Sequence, residues 1–249
     1  MKNVFHSKLM NTPLSGINYF LDGCALILVP GLRKFTLIPV VMNFILFAGL
    51  FLISGYYFHE FNIWFAHYLP HWLLWLSDIL WILFLISFLI MFITTFITIA
   101  NILAAPFNSV LSEKVEFYLQ GTPIKTKNLI ENITDIPRTI GRQLAIISYF
   151  LPRAFLLLIL FLIPFFQPIA AILWFLFNAW VIALTYLDYP ADNHRCSWKE
   201  THLLLKQNRG LVLGFGISVL IASMIPILNL FMIPAAVSGA TKLWLKIIR

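Results

Sequence analysis

The residues best suited to chemistry lie in one short string, Pro30-Gly31-Leu32-Arg33-Lys34-Phe35. Glycine lets a ligand come close to the backbone, and proline stops the segment before it. A helix that starts here offers unpaired N–H groups at the positive end of its dipole. Arg33 adds a planar fork that matches a tetrahedral oxyanion, and Lys34 adds a point charge. Together they suit a small anion held at a helix start. A second reading stands beside this one. Arg33 and Lys34 flank an apolar run, where basic residues commonly anchor a span to the cytoplasmic face.

Other constellations carry weaker signals. Arg153 follows Leu151-Pro152 at the edge of another apolar run. An arginine there either snorkels to the headgroups or faces the protein interior as an anion ligand in a pathway. Arg138 and Arg142, four apart, share a helical face, for which a solvated surface is expected over a basic vestibule. Asn101 and Asn108, seven apart with Thr94 and Thr98 above them, form a polar stripe that either glues helices together or lines a pathway. His67 and His71 have the spacing of paired metal ligands, but no Glu lies between them and Pro70 interrupts the helix. An interfacial loop with Trp64, Trp72 and Trp75 is expected instead, and no metal site. No G-x-S-x-G, Walker A or H-E-x-x-H string occurs, so neither an enzyme nor a cofactor is expected. Cys24 and Cys196 are far apart and outside any C-x-x-C pair, which argues against a disulfide framework or zinc.

The elements that position these residues follow from the distribution of charge. The chain has 249 residues, 61% hydrophobic and 11% charged, against about 25% charged in soluble proteins. Its seventeen Lys and Arg all fall outside four runs that also lack Asp and Glu: Phe35–His59, Ile79–Ser112, Ala154–Leu187 and Leu211–Thr241. Between the first two runs, Glu60–Asp78 has acids but no Lys or Arg; every other flank is basic. Both termini and both inner connections are therefore expected in the cytoplasm, with Glu60–Asp78 outside. Positive-inside placement also accounts for the net charge of +7, so no nucleic-acid partner is expected. No apolar leader opens the first twenty residues, and the first span is expected to act as an uncleaved anchor.

A crossing needs about 20 apolar residues. Residues 35–59 make one span, with Pro39 in its first turns. Residues 79–112 make one long tilted helix, kinked at Pro106 and carried past the headgroups by Glu113, Lys114 and Glu116. The runs 154–187 and 211–241 each begin and end on the basic side, yet each is too short for two crossings and a turn. Their prolines, Pro164 and Pro168 in one and Pro226 and Pro234 in the other, mark places to reverse. Both are expected to be re-entrant hairpins, whose freed backbone must be buried or line a wet cavity. Two ordinary hairpins in a six-span bundle are the alternative. The expectation is an all-α integral membrane protein: one membrane domain over residues 1–249, with two long transmembrane helices and two partly penetrating hairpins.

Several strings resemble the CysZ sulfate transporter (sulfate permease) family of bacterial inner membranes. They are P-G-L-R-K-F at Pro30, I-A-N-I-L-A-A-P-F-N at Ile99–Asn108, Y-F-L-P-R-A at Tyr149–Ala154 and L-W-F-L-F-N-A-W at Leu173–Trp180. D-Y-P-A-D-N-H at Asp188–His194 and M-I-P-I-L-N-L-F-M-I-P at Met224–Pro234 complete the set, in order over nearly the whole chain. The resemblance implies sulfate uptake for cysteine biosynthesis without an ATP-binding subunit. It also implies dimers or higher homo-oligomers, and the same two spans with two partial hairpins. The family's sulfate site maps onto Gly31, Leu32 and Arg33, with Lys34 where a second basic residue is usual. A non-transporting scaffold that recruits a partner is the rival class.

Overall fold

The computed structural model describes residues 12–68, 74–121 and 136–248. Among them every regular element is helical. In chain order these are α1 (Pro13–Leu26), α2 (Arg33–Tyr68), α3 (Leu74–Gln120), α4 (Ile136–Phe161), a 3-10 turn (Pro164–Phe166), α5 (Gln167–Asn193), α6 (Trp198–Gln207), α7 (Arg209–Ser223) and α8 (Pro226–Ile247). The chain divides into two compact units, Leu37–Phe107 and the remainder, Met1–Thr36 with Asn108–Arg249.

The Leu37–Phe107 unit is drawn from α2 and α3, whose 36 and 47 residues exceed the length of a crossing. Both helices outrun their apolar stretches, α2 to Tyr68 and α3 to Gln120. Phe47 joins them, meeting Phe92 and Phe96 edge-to-face with ring centroids 5.7 and 5.4 Å apart. Large apolar side chains such as Phe44, Leu52, Ile82 and Met91 stay exposed, as lipid-facing surfaces do. The Thr94 hydroxyl donates to the Ile90 carbonyl of its own helix, 2.8 Å away. The side chains of His67, Trp64, Trp75, Thr98 and Asn101 lie outside the described set, as do residues His71 and Trp72.

The larger unit is built on close helix contacts. The glycines of α1, α7 and α8 bring backbones together: a Cβ on Gly16 or Gly23 would strike the Leu211 or Ala235 carbonyl, and one on Gly214 would strike that of Pro13. Small residues at such crossings are what membrane helices use in place of a hydrophobic driving force. The sequence held no clear mark for α1. Its start is capped by Thr12, whose side chain accepts from the Ser15 N–H. Fully buried Phe215, Leu184, Leu187 and Trp244 fill the space among α5, α7 and α8.

The two C-terminal runs do reverse. The first turns at Leu162–Phe166 around Pro164, with Pro168 at the start of α5. The second turns at Met224–Ile225, before Pro226. Pro234 lies inside α8, so Ile227–Leu230 belong to the returning helix and not to the tip. Proline at N1 suits a helix start because its absent N–H would have no partner there. Length separates the two hairpins. α4 and α5 extend well below their apolar runs, and Leu144–Phe161 and Pro164–Asn193 are each long and apolar enough to cross a membrane. α7 has 15 residues, about 22 Å at 1.5 Å per residue, which is short of the roughly 30 Å hydrocarbon core. A 95° bend separates it from α6.

Candidate functional site

The turn between α1 and α2 presents the predicted anion ligands. Leu32 is its plug: buried, it packs with Leu26, Leu111, Val115 and Val237. That anchor leaves Gly31, Arg33 and Lys34 exposed around it. The Leu32 and Arg33 N–H groups both donate to the Val29 carbonyl, at 2.9 and 3.1 Å, and that of Phe35 donates to the Leu32 carbonyl. They are therefore spent inside the turn. Among the described residues, the Gly31 and Lys34 N–H groups have no intramolecular acceptor. A Cβ on Gly31 would meet no atom within 4 Å. Its φ is not in the left-handed region, so neither packing nor backbone geometry demands glycine here. The Arg33 side chain folds back over the turn, its Nε donating to the Leu28 carbonyl at 2.5 Å. This bond orients the fork and leaves the two terminal amino groups for an outside acceptor. Lys114 of α3 lies over the Phe35 ring, 5.8 Å from its centroid, adding a cation beside the turn.

The other expected site residues are placed elsewhere. Asn108 is buried and donates from its amide to the Tyr189 hydroxyl at 3.2 Å. It heads a polar seam along the lower part of α3. Ser109 donates to the Asn193 side chain, Ser112 pairs with Thr241, and Glu116 faces His194 with both carboxylate oxygens 3.0 Å from Nε2. Helix glue is what this geometry describes. Glu116 was expected only to carry α3 past the headgroups. The helix does continue, ending at Gly121 in the left-handed conformation, but Glu116 is buried in the protein.

A second departure concerns Arg142, expected on a solvated face. It is buried, and its Nε and one terminal nitrogen reach Asp188 at 2.9 and 2.6 Å. It also donates to the Cys196 carbonyl and, at 3.2 Å, to the Thr201 hydroxyl. One guanidinium thus ties α4 to α5 and to the start of α6. In sequence the partner string, Asp188 to His194, stands out only as part of the family resemblance. An arginine before the first hairpin run and an aspartate just after it are the available signal. The Arg138 side chain lies outside the described set. Two cavities, about 250 and 410 Å³, lie by Lys242 and Lys246 and by Arg142 and Lys199. Neither is lined by residues 30–34.

Arg153 sits on α4 with its guanidinium 3.8 Å from the centroid of the Tyr149 ring, and it donates to the Tyr149 carbonyl at 2.5 Å. It is exposed, between exposed Leu151 and Phe155.

The family model described as Sulfate transporter CysZ/Etoposide-induced protein 2.4 matches residues 19–234. A sulfate transporter CysZ of Pseudomonas fluorescens is 44% identical over 237 residues, covering 94% of each chain. The protein of that name from Pseudomonas syringae pv. tomato is 45% identical over 237 residues, covering 94% of this chain and 92% of its own. That from Pectobacterium atrosepticum is 39% identical over 243 residues, covering 96% of this chain and 87% of its own. With the matched region taking in the exposed Gly31–Arg33 corner, the buried polar seam and both hairpins, this chain belongs to the CysZ/etoposide-induced protein 2.4 family of membrane proteins.

Proposed function

We propose that this chain takes up sulfate across the bacterial inner membrane, without ATP, to supply cysteine biosynthesis, and that Gly31, Leu32, Arg33 and Lys34 form its sulfate-binding site. The observation that carries this is the exposed turn of a family member named for sulfate transport in its relatives. Leu32 fixes the corner, and the glycine has no internal reason to be glycine. The Arg33 fork is braced from behind by the Leu28 carbonyl. The expected backbone donors are narrowed to the Gly31 and Lys34 N–H groups, since those of Leu32 and Arg33 are occupied. Asn108 is read as helix glue and Arg153 as an anchor at the membrane face, so neither is assigned to the pathway. Asn101 remains a candidate pathway residue on sequence grounds alone.

We infer that both termini face the cytoplasm, that the protein works as a homo-oligomer, and that the α4–α5 hairpin is re-entrant. Arg153 supports the last point. From Arg142 to Phe161 α4 rises about 29 Å, enough to cross, but this would put Arg153 near the middle of the lipid. A charged residue there costs about 2.5–3.5 kcal/mol on insertion scales. With Arg153 at the headgroups, only about 12 Å of α4 remains above it. The Arg142–Asp188 pair then stands in the cytoplasm, where both ions keep partial access to water.

Labelled sulfate is expected to enter proteoliposomes that contain the purified chain faster than protein-free vesicles, without added nucleotide. Equal rates would remove the transport reading. A scaffold that only recruits a partner predicts equal rates and no sulfate binding by the pure protein.

A further inference from the structure

We propose that Arg153 and Lys206, set against an aromatic platform of Tyr149, His202 and Trp198, bind the phosphate of an anionic phospholipid headgroup. The proposal rests on the membrane level assigned above to Arg153. The platform joins α4 to α6: the His202 ring lies 4.5 Å from that of Tyr149 and stacks on Trp198 at 5.6 Å and 28°. Trp180 of α5 closes it edge-on at 6.5 Å. Arg153 covers the outer side, stacked on Tyr149. Stacking holds the guanidinium plane while leaving nitrogen atoms at its edge free to donate, which suits a phosphate fork. Lys206 is one helical turn beyond His202 on α6 and is exposed.

Among the described residues these charges have no counter-ion. Burial lowers the His202 pKa first, and the positive charges of Lys206 and Arg153 lower it further, which disfavours the charged ring. Its Nδ1 is enclosed without a hydrogen-bond partner, which makes the imidazole a packing member and leaves the two cations as ligands. Glu200, the nearest acid along α6, is occupied by the Ser197 N–H and hydroxyl in a capping box. Among the described residues neither Arg153 nor Lys206 forms an ion pair. Immediately above lies bare apolar surface, with Phe155 and Leu156 exposed. A tetrahedral oxyanion attached to acyl chains satisfies both halves. A free sulfate or phosphate would satisfy only the charged one. Aromatic residues and basic pockets between helices at the cytoplasmic face are the usual means of holding such headgroups.

The test is native mass spectrometry of the full-length, delipidated protein titrated with phosphatidylglycerol or phosphatidylcholine. Phosphatidylglycerol is expected to be retained and phosphatidylcholine not. Each of Arg153→Gln and Lys206→Gln is expected to weaken retention roughly fivefold, and the pair about 25-fold. Millimolar inorganic sulfate or phosphate should not displace the lipid. Unchanged retention in Lys206→Gln, an exposed site whose folding is not in question, would overturn the proposal even if Arg153→Gln fails to fold. Displacement by the inorganic ions would also overturn it and make this a free-oxyanion site. Sulfate binding at Arg33, measured on the same samples, keeps failure here separate from failure of the transport reading.

Discussion

At the scale of single residues, Gly31 separates a binding corner from a membrane anchor. Alanine there meets no described atom within 4 Å, so Gly31→Ala should leave the thermal midpoint unchanged. The added methyl group should nevertheless weaken sulfate binding, because it takes up space that only a ligand would need. Arg33→Ala removes charge-assisted bonds of about 1.5–3 kcal/mol each, or roughly a 10- to 150-fold loss in affinity. Arg33→Lys should rescue only part, since an ammonium has no fork. Lys34→Ala should cost less, with an effect that shrinks as salt is raised. Isothermal titration with sulfate distinguishes these outcomes: equal, salt-erased losses at Arg33 and Lys34 with no effect at Gly31 would leave only a positive-inside anchor. Arg142 predicts the opposite profile, a stability defect with sulfate affinity retained. Arg142→Ala removes the buried cation from half-buried Asp188 and should cost roughly 3 kcal/mol, whereas Arg142→Met with Asp188→Leu should recover most of that. Thermal unfolding in detergent reads both variants. A double variant as unstable as the single one would mean the pair contributes more than charge compensation.

At the scale of elements, the hairpin tips are decisive. Both reversals come where a proline opens the returning helix, at Pro168 and Pro226. The basic ends of the runs were enough to require a return, but not to say how deep it reaches. α7 is too short to cross, and α4 is long enough unless Arg153 marks the face. Cysteines introduced at Gln167 and Asn229 should therefore resist an impermeant thiol reagent added outside, while one at Glu60 reacts. The same sites must become reactive after denaturation, which shows that the introduced thiols are competent to react. Labelling of all three in intact cells would establish six full crossings. α1 shows what a hydropathy reading misses. Its glycines look unremarkable in sequence, and only the approach of the Leu211 and Ala235 carbonyls explains them.

At the scale of the whole molecule, transport without ATP meets an electrical limit. A divalent anion entering a cell at about 100 mV, negative inside, is opposed by roughly 4.6 kcal/mol. A passive pathway then requires free sulfate inside to be more than about 10³-fold below that outside. Proteoliposomes clamped at an inside-negative potential should accordingly take up sulfate more slowly than at zero potential, and faster when the potential is reversed. Uptake indifferent to potential would mean that a co-transported cation neutralises the load.

Chain composition and the order of charges were sufficient for the helical membrane class, the two long helices and the two reversals, because a bilayer rewards long apolar runs and sorts Lys and Arg by side. The Gly31-Leu32-Arg33 string stands out in the sequence by its residue types, and the structure leaves Gly31 and Arg33 exposed at the turn. What local pattern could not reveal were the pairings across long sequence separations. Arg142 reads in sequence as a surface charge and Glu116 as a headgroup one, while their partners Asp188 and His194 stand out only as parts of a family string. Only packing decides whether such a side chain faces water or a partner 46 or 78 residues away, because its partner is chosen by helix contact and not by spacing along the chain. The same holds for Leu32, whose insertion between α3 and α8 turns a flexible corner into one with its charged neighbours held outward.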